Sequence, residues 1–129
     1  VEQSKIIFSL VKDAILRAKK KIPELKNLIF LNGNSLDAYK SMSKEFDIIY
    51  LDPMYPTLNK KNKKSGRIEN IKKILEIENL IENGENLVKD FLDLEYKKII
   101  LKRPLKHRKN YSNINYQVLG KTTRFDIYL

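Results

Sequence analysis

The chain has 129 residues, 42% of them hydrophobic, enough for one domain with its own core and too regularly patterned for disorder. It has no cysteine and a single histidine, His107, which excludes disulfide staples, thiolate metal centres and multi-histidine sites. A net charge of +10 suits a polyanionic partner, nucleic acid first, although 21 lysines against 5 arginines is also what an A/T-biased coding sequence produces.

A helix is predicted at once. Ile7, Leu10, Val11, Ala14, Ile15 and Ala18 recur at three- and four-residue spacing and form one apolar stripe. Ser4 is a suitable N-cap, Lys19, Lys20 and Lys21 complement the dipole at the far end, and Pro23 stops the helix. Residues 28–31 form a short strand candidate, and Asn32-Gly33-Asn34-Ser35 is a turn. A short helix over residues 36–43 follows, for which Ser35 is a candidate N-cap.

Residues 46–51 are β-branched and aromatic and read as a buried strand. Asp52-Pro53-Met54-Tyr55-Pro56 follows directly, a stiff turn that carries one acceptor and one flat stacking surface. In open α/β sheets, ligand sites lie just outside the carboxyl ends of strands. Residues 57–67 lack apolar periodicity and hold Lys60, Lys61, Lys63, Lys64 and Arg67, so they read as a basic loop. At the rim of a pocket such a loop would grip phosphates; its bland alternative is a solvated insertion.

Ile71, Ile74 and Leu75 predict an amphipathic helix ending near Asn83-Gly84, and Leu87, Val88, Phe91 and Leu92 predict another. Residues 97–102 read as a strand with Arg103-Pro104 at its carboxyl end. Lys102 and Arg103 there are candidates for a phosphate grip, with a plain strand-end surface residue as the alternative for Lys102. His107, between Lys106 and Arg108, reads as a surface or RNA-contact residue, since a general base would need an orienting partner. Tyr116–Leu119 and residues 125–129 flank Gly120-Lys121-Thr122-Thr123 as a hairpin, and alternation puts Arg124 and Asp126 on one face, where they can pair.

Asp52-Pro53-Met54-Tyr55-Pro56 resembles the D/N-P-P-Y/F signature of methyltransferases acting on exocyclic base amines. With Met at the second proline position it is similar to the RsmJ-type methyltransferases of small-subunit ribosomal RNA. Leu101-Lys102-Arg103-Pro104 and Arg124-Phe125-Asp126-Ile127-Tyr128 match the same family in the same order. The resemblance implies an α/β, Rossmann-like fold, its mainly parallel sheet closed by a C-terminal antiparallel hairpin. It implies S-adenosylmethionine as cofactor, 16S ribosomal RNA as partner, no metal, and methylation of a guanine N2.

It implies roles as well. Glu2, in Val1-Glu2-Gln3-Ser4, would take the adenosyl ribose; spacing alone leaves a plain acid near a helix dipole open. Asn34 and Ser35 would contact the adenine, and Asp52 would border the cofactor. Asp52, Pro53 and Tyr55 would be catalytic, with the carboxylate and the Pro53 carbonyl accepting from the amine and Tyr55 stacking on the base.

No G-x-G-x-x-G occurs, although the family carries a glycine-rich cofactor loop upstream of the Val-Glu-x-Ser segment. The expectation is therefore a single, N-terminally incomplete domain over residues 1–129, lacking the first strand and most of the second. By itself it would bind the cofactor weakly or not at all, being truncated, decayed or completed by another polypeptide. Absence of a long apolar run or signal peptide makes cytoplasm the expected compartment. The alternatives are a non-catalytic basic RNA-binding remnant and an amino-methyltransferase acting on adenine or DNA.

Overall fold

Among the described residues, helical elements fill the first part of the chain, one strand and two further helices follow, and three strands end it. The structure, a computed structural model, describes residues 1–42, 46–53, 66–80, 84–107, 111 and 113–129, with backbone alone at 66–68. They fall into two units, Val1–Met42 with Lys61–Glu82, and Ser43–Lys60 with Asn83–Leu129.

In the first unit, helix α1 spans Lys5–Ala18 and Ser4 caps it, its hydroxyl accepting from the Ile7 N–H at 3.0 Å. The predicted stripe is largely open to solvent. No α1 residue is buried, and Leu10 is 63% exposed. Phe8 stacks on Phe30 with centroids 4.8 Å apart, and Lys12 lies over the Phe8 ring. A 3-10 turn at Pro23–Asn27 follows, with Pro23 at its first position. Helix α2 covers Ser35–Ser41 and helix α3 covers Gly66–Ile77, so Gly66 and Arg67, assigned to a loop by the sequence, begin a helix.

Two expectations need correction here. Residues 28–31 form no strand: a strand exists only within a ladder, and here the pairing is one parallel bridge, Glu2 with Asn32. Leu28 and Ile29 are consequently exposed. Gly84 is no C-cap. Helix α3 ends earlier, where Asn79 adopts a positive φ of 55°, and Gly84 opens helix α4, Gly84–Leu92.

The second unit is a four-stranded sheet in the order β1-β2-β4-β3, with β1 Ile49–Leu51, β2 Ile99–Pro104, β3 Tyr116–Leu119 and β4 Thr123–Tyr128. The first two strands are parallel and the rest antiparallel. Strand β1 is shorter than residues 46–51 and buries one face only, with Tyr50 exposed between Ile49 and Leu51. Strand β2 runs two residues further than expected and takes in Arg103 and Pro104.

Its core is Ile49, Leu51, Ile99, Leu101, Ile127 and Tyr128 from the strands, with Val88 and Phe91 from α4 and Tyr111. The Tyr128 phenol has no hydrogen-bond partner among the described residues, and the residue is 1% exposed; burial pushes its pKa up to about 12.

Candidate active site

Two clusters of residues carry the chemistry implied by the sequence, one in each unit.

The first gathers around the bridge between Glu2 and Asn32. Glu2 N–H donates to the Leu31 carbonyl at 2.9 Å, Gly33 N–H returns to the Glu2 carbonyl at 3.0 Å, and Asn32 Nδ2 donates to the Glu2 and Gln3 carbonyls. The two segments are thereby held side by side. Glu2 Oε1 accepts from Ser4 N–H at 2.8 Å. Asn34, and not Ser35, is the N-cap of α2, its Oδ1 accepting from Leu36 and Asp37 N–H; Ser35 is the first helical residue. The Asn34 backbone is extended, as an N-cap requires, so the capping falls one residue earlier than expected.

Gly33 has φ +149°, strained for any L side chain, and a Cβ there would meet nothing within 4 Å. The turn is therefore open on that side. Glu2 and Asn34, an acid and an amide on either side of this turn, are residue types that could hold the diol and ring edge of an adenosyl group.

At the same end of α1, Glu78 from beyond α3 places its carboxylate over the first turn. It accepts from Lys5 N–H at 3.0 Å, from Ile6 N–H at 3.3 Å and from the Ser4 hydroxyl. Ser4 is fully buried under this clamp. Nothing local in the sequence marks Glu78, because the pairing spans more than seventy residues.

The second cluster lies at the carboxyl end of β1 and along the adjoining part of β2. Asp52 follows β1 directly and its side chain is 47% exposed. Register carries it beside Lys102: Leu51 pairs with Leu101, so the next residue of each strand meets. Lys102 Nζ donates to Asp52 Oδ2 at 2.8 Å. That hydrogen bond raises the Lys102 pKa above its usual 10.5, so the ammonium stays charged across the neutral range. An ion pair this exposed contributes only about 0.2–1 kcal/mol to stability. Pro53 is half-buried next to Asp52.

Arg103 departs from the sequence reading. Its side chain is completely buried, and its NH1 donates to Asp126 Oδ2 at 2.8 Å. It cannot meet a phosphate, because β2 extends through it and alternation turns it inward behind Ile99 and Leu101. Asp126 Oδ1 also accepts from Gln117 Nε2 at 2.7 Å, and Arg124 Nε lies 3.1 Å away, the expected pairing of Arg124 with Asp126. The Arg103 guanidinium packs over the Tyr111 ring, centroid distance 5.1 Å.

His107 belongs to this network and is no free surface residue. Arg103 NH2 is 2.7 Å from its Nδ1, and its Nε2 lies 3.8 Å from Glu85. Arginine only donates, so Nδ1 accepts and the imidazole proton sits on Nε2.

Tyr55, Lys60, Lys61, Lys63, Lys64 and the Arg67 side chain lie outside the described residues. Among the described residues no helix is long and apolar enough to cross a membrane. No group of acidic or histidine side chains there is placed to hold a metal.

The Lys102–Asp52 pair was missed by sequence reasoning, yet a signal existed. Sliding Ile49-Tyr50-Leu51 along Ile99-Ile100-Leu101 puts acid opposite lysine.

A family profile described as "Putative SAM-dependent methyltransferase" matches residues 1–129. Among curated proteins, the Ribosomal RNA small subunit methyltransferase J of Francisella philomiragia is 32% identical over 99% of this chain and 55% of its own length. That of Nitrosococcus oceani is 30% identical over 100% of this chain and 52% of its own. The chain thus spans about half the length of the curated relatives it matches. The crystal structure of a SAM-dependent methyltransferase from Neisseria gonorrhoeae superposes with a TM-score of 0.64 at 27% identity, over 99% of this chain and 50% of that one.

Proposed function

The chain belongs to the SAM-dependent methyltransferase family, and from that premise we propose that it forms part of an enzyme methylating an exocyclic amine of small-subunit ribosomal RNA, guanine N2. The observation that carries the reading is Asp52: a half-exposed carboxylate held at the carboxyl end of a parallel strand and followed by proline. The names of the relatives supply the substrate class.

Bound S-adenosylmethionine supplies a sulfonium-activated methyl group. Glu2, Asn34 and Ser35 would hold its adenosyl part. The protein's remaining task is to present a poor nucleophile, since the guanine N2 lone pair is delocalised into the ring. Asp52 and the Pro53 carbonyl would accept hydrogen bonds from the two amine N–H groups, which favours pyramidal nitrogen and offsets the positive charge growing on it; the proton that the methylated nitrogen must lose can then pass to the Asp52 carboxylate or to solvent. Tyr55 would stack on the base. Lys60, Lys61, Lys63, Lys64 and Arg67 would grip RNA phosphates. The expected setting is the cytoplasm, where the RNA is made, as one domain with no metal.

The test is labelled-methyl transfer to small-subunit RNA by the full-length protein carrying this chain. Asp52→Ala is expected to lower transfer by about 10²–10³-fold, with cofactor affinity nearly unchanged. Equal loss of both would make Asp52 a cofactor or folding residue. Transfer to adenine or DNA in preference would move the substrate class, and RNA binding without transfer would reduce the protein to a binding module.

A further inference from the structure

We infer that Lys102 is a positioning residue for the methylation step: it pins one oxygen of Asp52 so that the other is the carboxylate oxygen aimed at the target amine, beside the Pro53 carbonyl. The inference rests on the proposed reading of Asp52 and deepens it.

Three observations carry it. Lys102 Nζ and Asp52 Oδ2 are 2.8 Å apart, a full charge-assisted hydrogen bond. Asp52 Oδ1 accepts from no described residue, so the carboxylate is half-spent and half-open. The geometry is fixed by the sheet, because Asp52 and Lys102 follow the paired Leu51 and Leu101 of two parallel strands. A carboxylate as exposed as Asp52 would otherwise turn freely about its side-chain bonds, and a loose acceptor loses the orientation on which rate depends. The pair is too exposed to be explained by fold stability. The sequence suggested instead that Lys102 grips RNA phosphate. A phosphate grip would act on RNA affinity and its salt dependence, a positioning role on kcat, so the two roles make different predictions about one side chain.

The experiment compares Lys102→Met, Lys102→Gln and Lys102→Arg in the full-length protein, with thermal melting as the fold control. Lys102→Gln serves should the Met variant not fold. Positioning predicts that both neutral variants lose about 10–100-fold in kcat, while RNA affinity and its salt dependence stay as in the wild type. Lys102→Arg, which can still donate to Oδ2, recovers most of the rate. Added to Asp52→Asn, Lys102→Met causes little further loss, because the lysine acts only through the carboxylate. An unchanged kcat overturns the inference, with weaker RNA binding and a salt slope lower by about one identifying a phosphate contact. A wild-type protein that methylates no RNA overturns the reading of Asp52 itself and this inference with it, so the two failures are distinct.

Discussion

At the scale of single residues, polar side chains fix the backbone more firmly than apolar ones do in the first unit. Glu78 is the sharpest case. It closes the N-terminus of α1 from a distant point of the chain, combining helix-dipole complementarity with three accepted hydrogen bonds. Glu78→Ala is expected to cost about 1–2 kcal/mol, read as a lower urea midpoint with unchanged slope. Asn34→Ala removes the α2 cap and should cost about 1 kcal/mol; Asn34→Ser should recover most of it in the same assay. Ser4 was legible as a cap because its signal is local, a hydroxyl before an apolar period. Glu78 was not, because long-range capping leaves no pattern in a window of sequence. Asn34 and Ser35 compete within one residue, and propensity alone ranks both as good caps.

At the scale of elements, the β2–β4 ladder carries an ion pair whose two side chains are fully buried. Arg103 and Asp126 are both inaccessible, with Gln117 and Arg124 on the second carboxylate oxygen. Removing one partner of a buried pair leaves the other charge stranded, at a cost of about 3–5 kcal/mol. Asp126→Asn should therefore destabilise by that order in chemical denaturation. Asp13→Ala, breaking the exposed Arg17–Asp13 pair of α1, should change stability by no more than about 0.5 kcal/mol. The hairpin, the β2 region and α4 were all legible, since their apolar periods and turn residues agree. The inward turn of Arg103 was not. Charge argues for the surface, and only the strand's extension through Pro104 and the acid waiting on β4 reverse that.

At the scale of the whole molecule, the split between two units follows the distribution of apolar burial: among the described residues, every buried apolar side chain belongs to the second unit. Tyr128 gives that unit a titration signature. Its folded pKa, about 12, lies above the ordinary 10, so the native state holds the phenolic proton more tightly than the unfolded chain. The stabilisation is complete below pH 10 and disappears as pH rises towards 12, a loss on the order of 2–3 kcal/mol. Denaturation midpoints measured on either side of that window should fall accordingly. Tyr128→Phe should flatten the fall. The family and the α/β class were legible from three motifs in order, because each sits on or beside a strand of the sheet. The meeting of acid and lysine at the strand ends needed the ladder's register, which no single motif carries.

That register is itself guarded. Leu101 faces Asp126, Arg103 faces Arg124 and Gln117 faces Asp126 across the ladders. A slip of β4 by one residue would swing Asp126 to the opposite side of the sheet and bring Phe125 against the Arg103 guanidinium, stranding a buried cation. A one-residue misalignment of these strands is thus penalised, and the buried Arg103–Asp126 pair acts as a password for the native register.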